Sequence, residues 1–409
     1  MSISFIGHIL IGFIGLIVIA IPFSIAKSKI NYKGILVAII FQIILAYALI
    51  KIPFIVEMFR YLSNVVELLQ SATIDGARFI FGDLALEDKG FIFAFQILPL
   101  IIVISCLTAL FWFWRILPFI IRLISKVFER LFNIGGPVGL GATANIIMGQ
   151  VEAPLLIRPY LSKMTNKELL IMMTAGMATV SGSIMVALVS IVQSKFSQDI
   201  ILIQHFVTAS ILSIPAAIMY ANIMMPSNEI TEFDKEKVPS IYKSSMDAIT
   251  RGTRDGLDIA VNVGAILIAF IAIVYLINSL LGLLPNINGQ EISLQMILGY
   301  IFFPIAWLMG IPLDEAMTAA EMIGIKTALN EVYAYQELAA ASSLSPRTMI
   351  ITLYGLCGFA NFSSVGILVS GIGAMCPERK PDLIKVSLKA LVAATLASCM
   401  TGLVVGIFI

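Results

Sequence analysis

The chain has 409 residues, of which 59% are hydrophobic and only 12% charged. A soluble domain carries about 25% charged residues, so the composition excludes a water-soluble globular protein and points to a polytopic membrane protein. The net charge of +1 gives no electrostatic case for a nucleic-acid partner.

Residues 5–26 are apolar and long enough to cross the hydrocarbon, which takes about 20 residues. They have no basic leader and no small-residue cleavage site, so they read as a retained span and not a signal peptide. Lys27, Lys29 and Lys33 follow, and then a second span over 34–50. Lysines so close together in a short loop mark it as cytoplasmic and put the N-terminus outside. Over 53–88, Val56, Phe59, Leu62, Val66 and Leu69 recur at helical spacing between Glu57, Arg60, Asn64 and Glu67. This pattern predicts an amphipathic helix on the outer surface or at a subunit contact. Asp83, Glu87 and Asp88 suit an outer loop. The third span covers 91–114, with Trp112 and Trp114 ending it at the interface, where amphipathic rings sit well. Arg115, Arg122, Lys126 and Arg130 then punctuate an apolar helix expected to lie along the cytoplasmic face.

Residues 135–160 are too polar and too broken for a plain span. Gly135, Gly136, Pro137, Gly139 and Gly141 open the stretch, Gln150, Glu152 and Pro154 interrupt it, and Arg158 and Lys163 close it. Basic residues at both ends predict a re-entrant hairpin, whose irregular backbone must be buried in protein or line a cavity. The glycines are followed by no Lys-Ser/Thr, which discards a phosphate loop. A span over 169–193 holds Thr179-Val180-Ser181-Gly182-Ser183 near its centre, and 203–225 returns. Residues 227–258, with Glu229, Asp234, Lys235, Lys237, Arg251 and Arg254, read as a solvated cytoplasmic loop. A span follows over 257–283 and a turn-rich outer loop over 285–290. Residues 294–308 match the interfacial helix of the first half. A second hairpin over 317–341 breaks at Asn330-Glu331. A span over 348–375 is broken at Phe359-Ala360-Asn361-Phe362-Ser363-Ser364, and 386–409 ends outside.

Adding 180 turns Ser183, Leu188, Val189 and Ser190 into Ser363, Leu368, Val369 and Ser370, all identical, and turns Gln150 into Asn330, beside Glu331. The order of hairpin, broken span and span therefore occurs twice. Inverted repeats with discontinuous helices are the signature of secondary transporters, with the substrate near the midplane where the breaks converge.

Glu152 and Glu331 are carboxylates in apolar surroundings, where each costs about 2.5 to 3.5 kcal/mol. The bland alternative is a structural ion pair, such as Glu331 with Lys326. Gln150 and Asn361 donate and accept, which suits a neutral, hydroxylated ligand with a polar ring, and Phe359 offers a stacking face or plain packing. Asn145 and Thr179, with the freed carbonyls of Met148 and Val180, form an oxygen set that suits Na⁺. The alternative is that they only satisfy the broken backbone. His8 and His205 lie alone near span ends and read as interface residues. Cys106, Cys357, Cys376 and Cys399 read as buried small hydrophobes. A dicarboxylate carrier would need fixed positive charge at the breaks, an enzyme would need a nucleophile–base pair or metal set there, and a channel is less suited to inverted hairpins.

At Gly149-Gln150-Val151-Glu152-Ala153-Pro154, at Asn330-Glu331 followed by Ala334-Tyr335, and at Gly358-Phe359-Ala360-Asn361-Phe362-Ser363-Ser364, the chain resembles the concentrative nucleoside transporter family in its shorter bacterial form. The resemblance covers essentially the whole chain. It implies an all-α polytopic homotrimer, with eight transmembrane helices and two re-entrant hairpins per subunit, in the cell inner membrane with both termini outside. It implies a scaffold of the first three spans (1–114) and the long sixth (227–292). The moving transport domain would then be 115–226 and 293–409. It implies elevator-type import of nucleosides such as uridine, coupled to Na⁺ or in some members to H⁺, and no enzymatic activity. By that resemblance Gln150, Val151, Glu152 and Ile184 face the nucleobase. Glu331, Asn361 and Ser364 bind the ribose, Phe359 packs on the ligand, and Asn145, Met148, Thr179 and Val180 hold Na⁺. Val151 stands where the family often has a hydroxyl residue, which leaves purine-versus-pyrimidine preference open.

Overall fold

Hydrocarbon offers no partner to a backbone N–H or C=O, so a chain of this composition satisfies its backbone within helices. A computed structural model describes residues 3–86, 92–197, 199–227, 229–231, 242–286 and 291–409, and among these every regular element is helical. In chain order the first half holds α1 (Ile3–Ala20), α2 (Tyr32–Lys51), α3 (Pro53–Phe81), α4 (Phe93–Gln96), α5 (Leu98–Phe113), α6 (Ile116–Phe132), α7 (Gly136–Ala144), α8 (Glu152–Leu155), α9 (Asn166–Ala178), α10 (Gly182–Val192) and α11 (Leu202–Met224). Then come α12 (Ser245–Leu281), α13 (Leu294–Leu308), α14 (Leu313–Ala328), α15 (Glu331–Ala340), α16 (Pro346–Leu356), α17 (Phe362–Met375) and α18 (Lys380–Val405). Among the described residues, seven stretches are long and apolar enough to cross a membrane. The eighth expected span is α16 and α17, each too short alone and separated by residues 357–361.

The repeat is visible in the helix starts. Shifted by 180, α9 begins where α16 does, and the caps coincide: Thr165 with Ser345, and Ser181 with Asn361. The polar side chains at these caps are the local reason. Thr165 accepts from the Glu168 N–H and Glu168 answers at the Thr165 N–H, a capping box, while Ser345 accepts from Thr348. Likewise α6 and α13, and α11 and α18, begin within two residues of the same offset.

The loop expected over 227–258 is corrected at its end. Helix α12 starts at Ser245, because Ser244 caps it by accepting from the Asp247 N–H at 3.1 Å. Arg251 and Asp247 then pair one turn apart at 2.9 Å. Its 37 residues extend about 55 Å, well beyond the hydrocarbon. Calls on Glu87, Asp88, Asp234, Lys235, Lys237 and residues 287–290 lie outside the described residues.

Packing divides the helices. Windows in α9–α10, α11 and α18 are 89%, 89% and 83% buried, whereas those in α1, α2 and α12 are only 22%, 22% and 17% buried. The first group packs together with α16 as an interior bundle. Helix α12 lies along α5, brought close by Gly252 and Gly256. A Cβ on Gly256 would come within 2.8 Å of the Ile102 backbone, so the small-xxx-small spacing is what permits the approach. Trp112 is buried against the protein, whereas Trp114 is exposed. His205 is also interior, hydrogen-bonded to Tyr354 at 3.0 Å, whereas His8 stacks on Trp307 and bonds its carbonyl at 2.7 Å.

Candidate functional site

Four interruptions lie in the bundle: residues 145–151 between α7 and α8, 179–181 between α9 and α10, 329–330 between α14 and α15, and 357–361 between α16 and α17. Hydrogen bonds join them in series. The Gly182 N–H donates to the Ile147 carbonyl at 2.9 Å, tying the first hairpin to the α9–α10 break. The Phe359 N–H donates to the Thr179 carbonyl at 3.3 Å, tying that break to its counterpart in the second half. The Asn361 side-chain N–H donates to Glu331 Oε2 at 3.0 Å, tying that in turn to the second hairpin.

Gly358 makes the central contact possible. Its φ is +140°, and a Cβ there would lie 2.9 Å from the Met177 carbonyl oxygen and the Ala178 carbonyl carbon. Only glycine accepts both the dihedral and the approach.

The second-half breaks are held by side chains. Asn330 caps α15 by accepting from the Tyr333 N–H at 2.9 Å. Asn361 caps α17 by accepting from the Ser364 N–H at 2.8 Å, and accepts again from the Ser363 hydroxyl at 2.8 Å. Glu331 is thereby held at one oxygen, at the N-terminal end of α15, where the helix dipole favours negative charge. It is not paired with Lys326, whose Nζ donates instead to the Gly355 carbonyl and to Ser398.

The first-half breaks are looser. Asn145 spends its N–H on the Gly141 carbonyl at 3.0 Å, and its Oδ1 is buried with no hydrogen-bond partner. Gln150 Oε1 is likewise buried without a partner. Thr179 donates to the Ala175 carbonyl at 2.9 Å, which leaves its oxygen lone pairs free to accept. Among the described residues no backbone N–H reaches the carbonyls of Met148 or Val180. Unused buried oxygen is costly without a partner, and this donor set fits a hard cation.

Asn145, Gln150, Thr179, Val180, Ile184, Glu331, Asn361 and Ser364 are all buried, and Met148, Val151, Glu152 and Phe359 are half-buried. Val151 packs on α17: a Cβ on Gly371 would lie 2.7 Å from its Cγ1. Glu152 turns back to accept from the Gly149 N–H. It lines a cavity of about 60 Å³ with Met148, Ser181 and Ser183, walled by Ser105, Thr108 and Trp112 of α5, by Asp255 of α12 and by Tyr242. Glu331 is not part of that lining; the two carboxylates are linked through the breaks. Burial, with the Asp255 and Glu152 carboxylates beside it, pushes the Tyr242 hydroxyl up to about 12, so Tyr242 keeps its proton.

Sequence reading missed this wall. The Gly252-xxx-Gly256 spacing could have located the α5–α12 contact, but no local pattern marks Trp112 or Tyr242 as facing Glu152. Ser210 of α11, whose hydroxyl lies 3.5 Å from the Val180 N–H, carries no signal either.

Comparison with known proteins identifies this arrangement. Residues 11–84 match the family model of the Na⁺-dependent nucleoside transporter N-terminus, 205–406 match its C-terminus, and 94–195 match a nucleoside-recognition model. The chain belongs to the Na⁺-dependent nucleoside transporter family. It is 34% identical to the nucleoside permease NupC of Helicobacter pylori, over 98% of this chain and 97% of the permease. It is 33% identical to sodium/nucleoside cotransporter 1 of Sus scrofa, over 85% of this chain and 56% of that longer protein. The fold superposes on the transporter CNTnw in an inward-facing substrate-bound state with TM-score 0.90 and 32% identity, covering 99% and 98% of the two chains. A variant of CNTnw in an outward-facing state matches with TM-score 0.91 and 31% identity, covering 100% and 99%. This transporter is thus a multi-pass membrane protein of a family that carries nucleosides, not a family of enzymes.

Proposed function

We propose that this transporter imports nucleosides such as uridine across the cell inner membrane by symport with Na⁺. The observation that carries the reading is the hydrogen-bonded series through the breaks, from Ile147 to Glu331. One end offers an ordered carboxylate and the other a set of unpartnered oxygens.

Each residue then has a role. Glu331, fixed at one oxygen by Asn361, presents the other to the ribose hydroxyls, with Ser364 beside it. Gln150 and Glu152 address the nucleobase, Val151 and Ile184 bound it with apolar surface, and Phe359 packs on the ligand. Asn145, Thr179 and the carbonyls of Met148 and Val180 hold the cation. The Gly182–Ile147 bond lies between the cation set and Gln150, so filling the first orders the second.

A cavity of about 60 Å³ at Glu152 is far short of the roughly 300–1,000 Å³ of small-ligand sites. Nucleoside entry therefore requires the first hairpin and the α5–α12 wall to part. This supports an elevator: 115–226 and 293–409 move as inverted repeats with two re-entrant hairpins, past a scaffold of 1–114 and 227–292. The exposed apolar faces of α1, α2 and α12 suit lipid and the contacts of a homotrimer, with both termini outside.

Calorimetric titration of uridine in Na⁺ buffer tests the site. Glu331→Ala removes a charged acceptor from two hydroxyls, a loss of about 3 kcal/mol or more, and is expected to weaken binding at least about a hundredfold. Uridine affinity within threefold of the wild type would take Glu331 out of the site, and the reading with it.

A further inference from the structure

One buried charge has no part in the site described so far. Lys326 lies in the last turn of α14 and is completely buried. Among the described residues it forms no ion pair. Its Nζ donates to the Gly355 carbonyl at 3.3 Å and to the Ser398 hydroxyl at 3.2 Å, both neutral groups. An ammonium held so deep without an ion-pair partner is costly, so its persistence calls for a use.

The repeat supplies one. Gly355 stands 180 positions after Ala175, and each carbonyl belongs to the last four of its half-helix, α16 or α9. Such carbonyls have no partner within the helix and form the negative end of its dipole. In the first repeat the Ala175 carbonyl accepts from the Thr179 hydroxyl. Asn145 Oδ1 is alongside, 3.5 Å from where a Cβ on Gly176 would lie. Asn145 shifted by 180 is Ile325, the neighbour of Lys326. The offset sets Lys326 against Ile146, one residue past Asn145, so the ammonium of Lys326 and the unpartnered oxygen of Asn145 fall at neighbouring positions of the two repeats. Each sits between the inner arm of a hairpin and the C-terminal end of a half-helix.

We infer that Lys326 is a tethered cation: its ammonium takes in the second repeat the place that the exchangeable coupling cation takes in the first. This rests on the cation site proposed at Asn145. The consequence is one exchangeable charge per nucleoside, because the other cation is covalently part of the chain. It also explains the difference in order between the repeats. Asn330 and Asn361 have their partners already, in the repeat whose cation never leaves. Asn145 Oδ1 and Gln150 Oε1 have none, beside a position that fills and empties.

The test is the charge moved per uridine by the reconstituted full-length protein at clamped membrane potential, with radiolabelled uridine counted in parallel. The wild type is expected to move one charge per uridine. A ratio of two would overturn the tether alone, since both positions would then exchange, and no charge movement would remove the Asn145 site as well. In Lys326→Asn an amide oxygen replaces the ammonium. The charge ratio is expected to rise toward two and the Hill coefficient for Na⁺ in uridine binding to rise from about 1 toward about 2. An unchanged ratio and slope, in a variant whose thermal unfolding matches the wild type, would overturn the proposal. Should that variant not fold, the wild-type ratio decides.

Discussion

The two repeats break their helices at matching positions and hold the breaks by different means. In the second, side chains do the holding: Asn330 and Asn361 cap their helices, and Asn361 also grips Glu331. In the first, Ser181 makes no side-chain cap. The backbone carries the contacts, through Gly182 and Ile147, while Asn145 and Gln150 keep an oxygen without a partner. The lesson is one of preorganisation. On the proposed function, the second repeat is built in its binding geometry and the first is completed by what it binds.

Substitutions at the breaks sharpen that contrast. The largest effect is expected at Asn361→Ala, which removes a helix cap worth about 1 kcal/mol. It also leaves a buried carboxylate without its side-chain donor, at a further cost of about 1–3 kcal/mol. Uridine binding should weaken by well over tenfold and thermal unfolding should begin earlier. A variant with unchanged uridine affinity would show that Asn361 caps α17 without serving the site.

Gly358→Ala comes next. Its positive φ and the contact with α9 force strain of about 1–3 kcal/mol. Because that contact joins the halves, uridine affinity and Na⁺ affinity should fall together. A fall in one alone would mean that the Phe359–Thr179 bond does not couple them. Asn145→Ala is expected to act least on uridine and most on the ion. The Na⁺ concentration for half-maximal uridine binding should rise about tenfold, the equivalent of roughly 1.4 kcal/mol, with uridine affinity at saturating Na⁺ little changed. An unaltered Na⁺ requirement would remove Asn145 from the cation set.

Much of this organisation was legible in the residues. The offset of 180 located the repeat, and the caps show why it could: Ser, Thr and Asn at equivalent helix starts are a local signal. The boundaries of α13 were legible because 294–308 stands in the second half where 116–132 stands in the first. The start of α12 was misread because charges such as Arg251 and Asp258 suggest solvent, whereas they decorate a helix that projects beyond the bilayer. That Glu152 and Glu331 are both acids at breaks was legible, but not how each is held. Which way a carboxylate turns depends on the neighbouring N–H, here that of Gly149, and on the wall from α5 and α12, which lies far away in sequence. An ion pair of Lys326 with Glu331 stood only as the bland alternative to a binding site. The intervening break sends the ammonium to Gly355 and Ser398 instead.

The most direct measurement is radiolabelled uridine uptake into proteoliposomes, with inward Na⁺ and inward H⁺ gradients imposed separately. Breaks that hold a nucleoside at Glu331 and a sodium ion at Asn145 predict concentrative uptake under the Na⁺ gradient, and its loss in Asn145→Leu. Uptake that follows the H⁺ gradient alone and ignores Na⁺ would contradict that assignment.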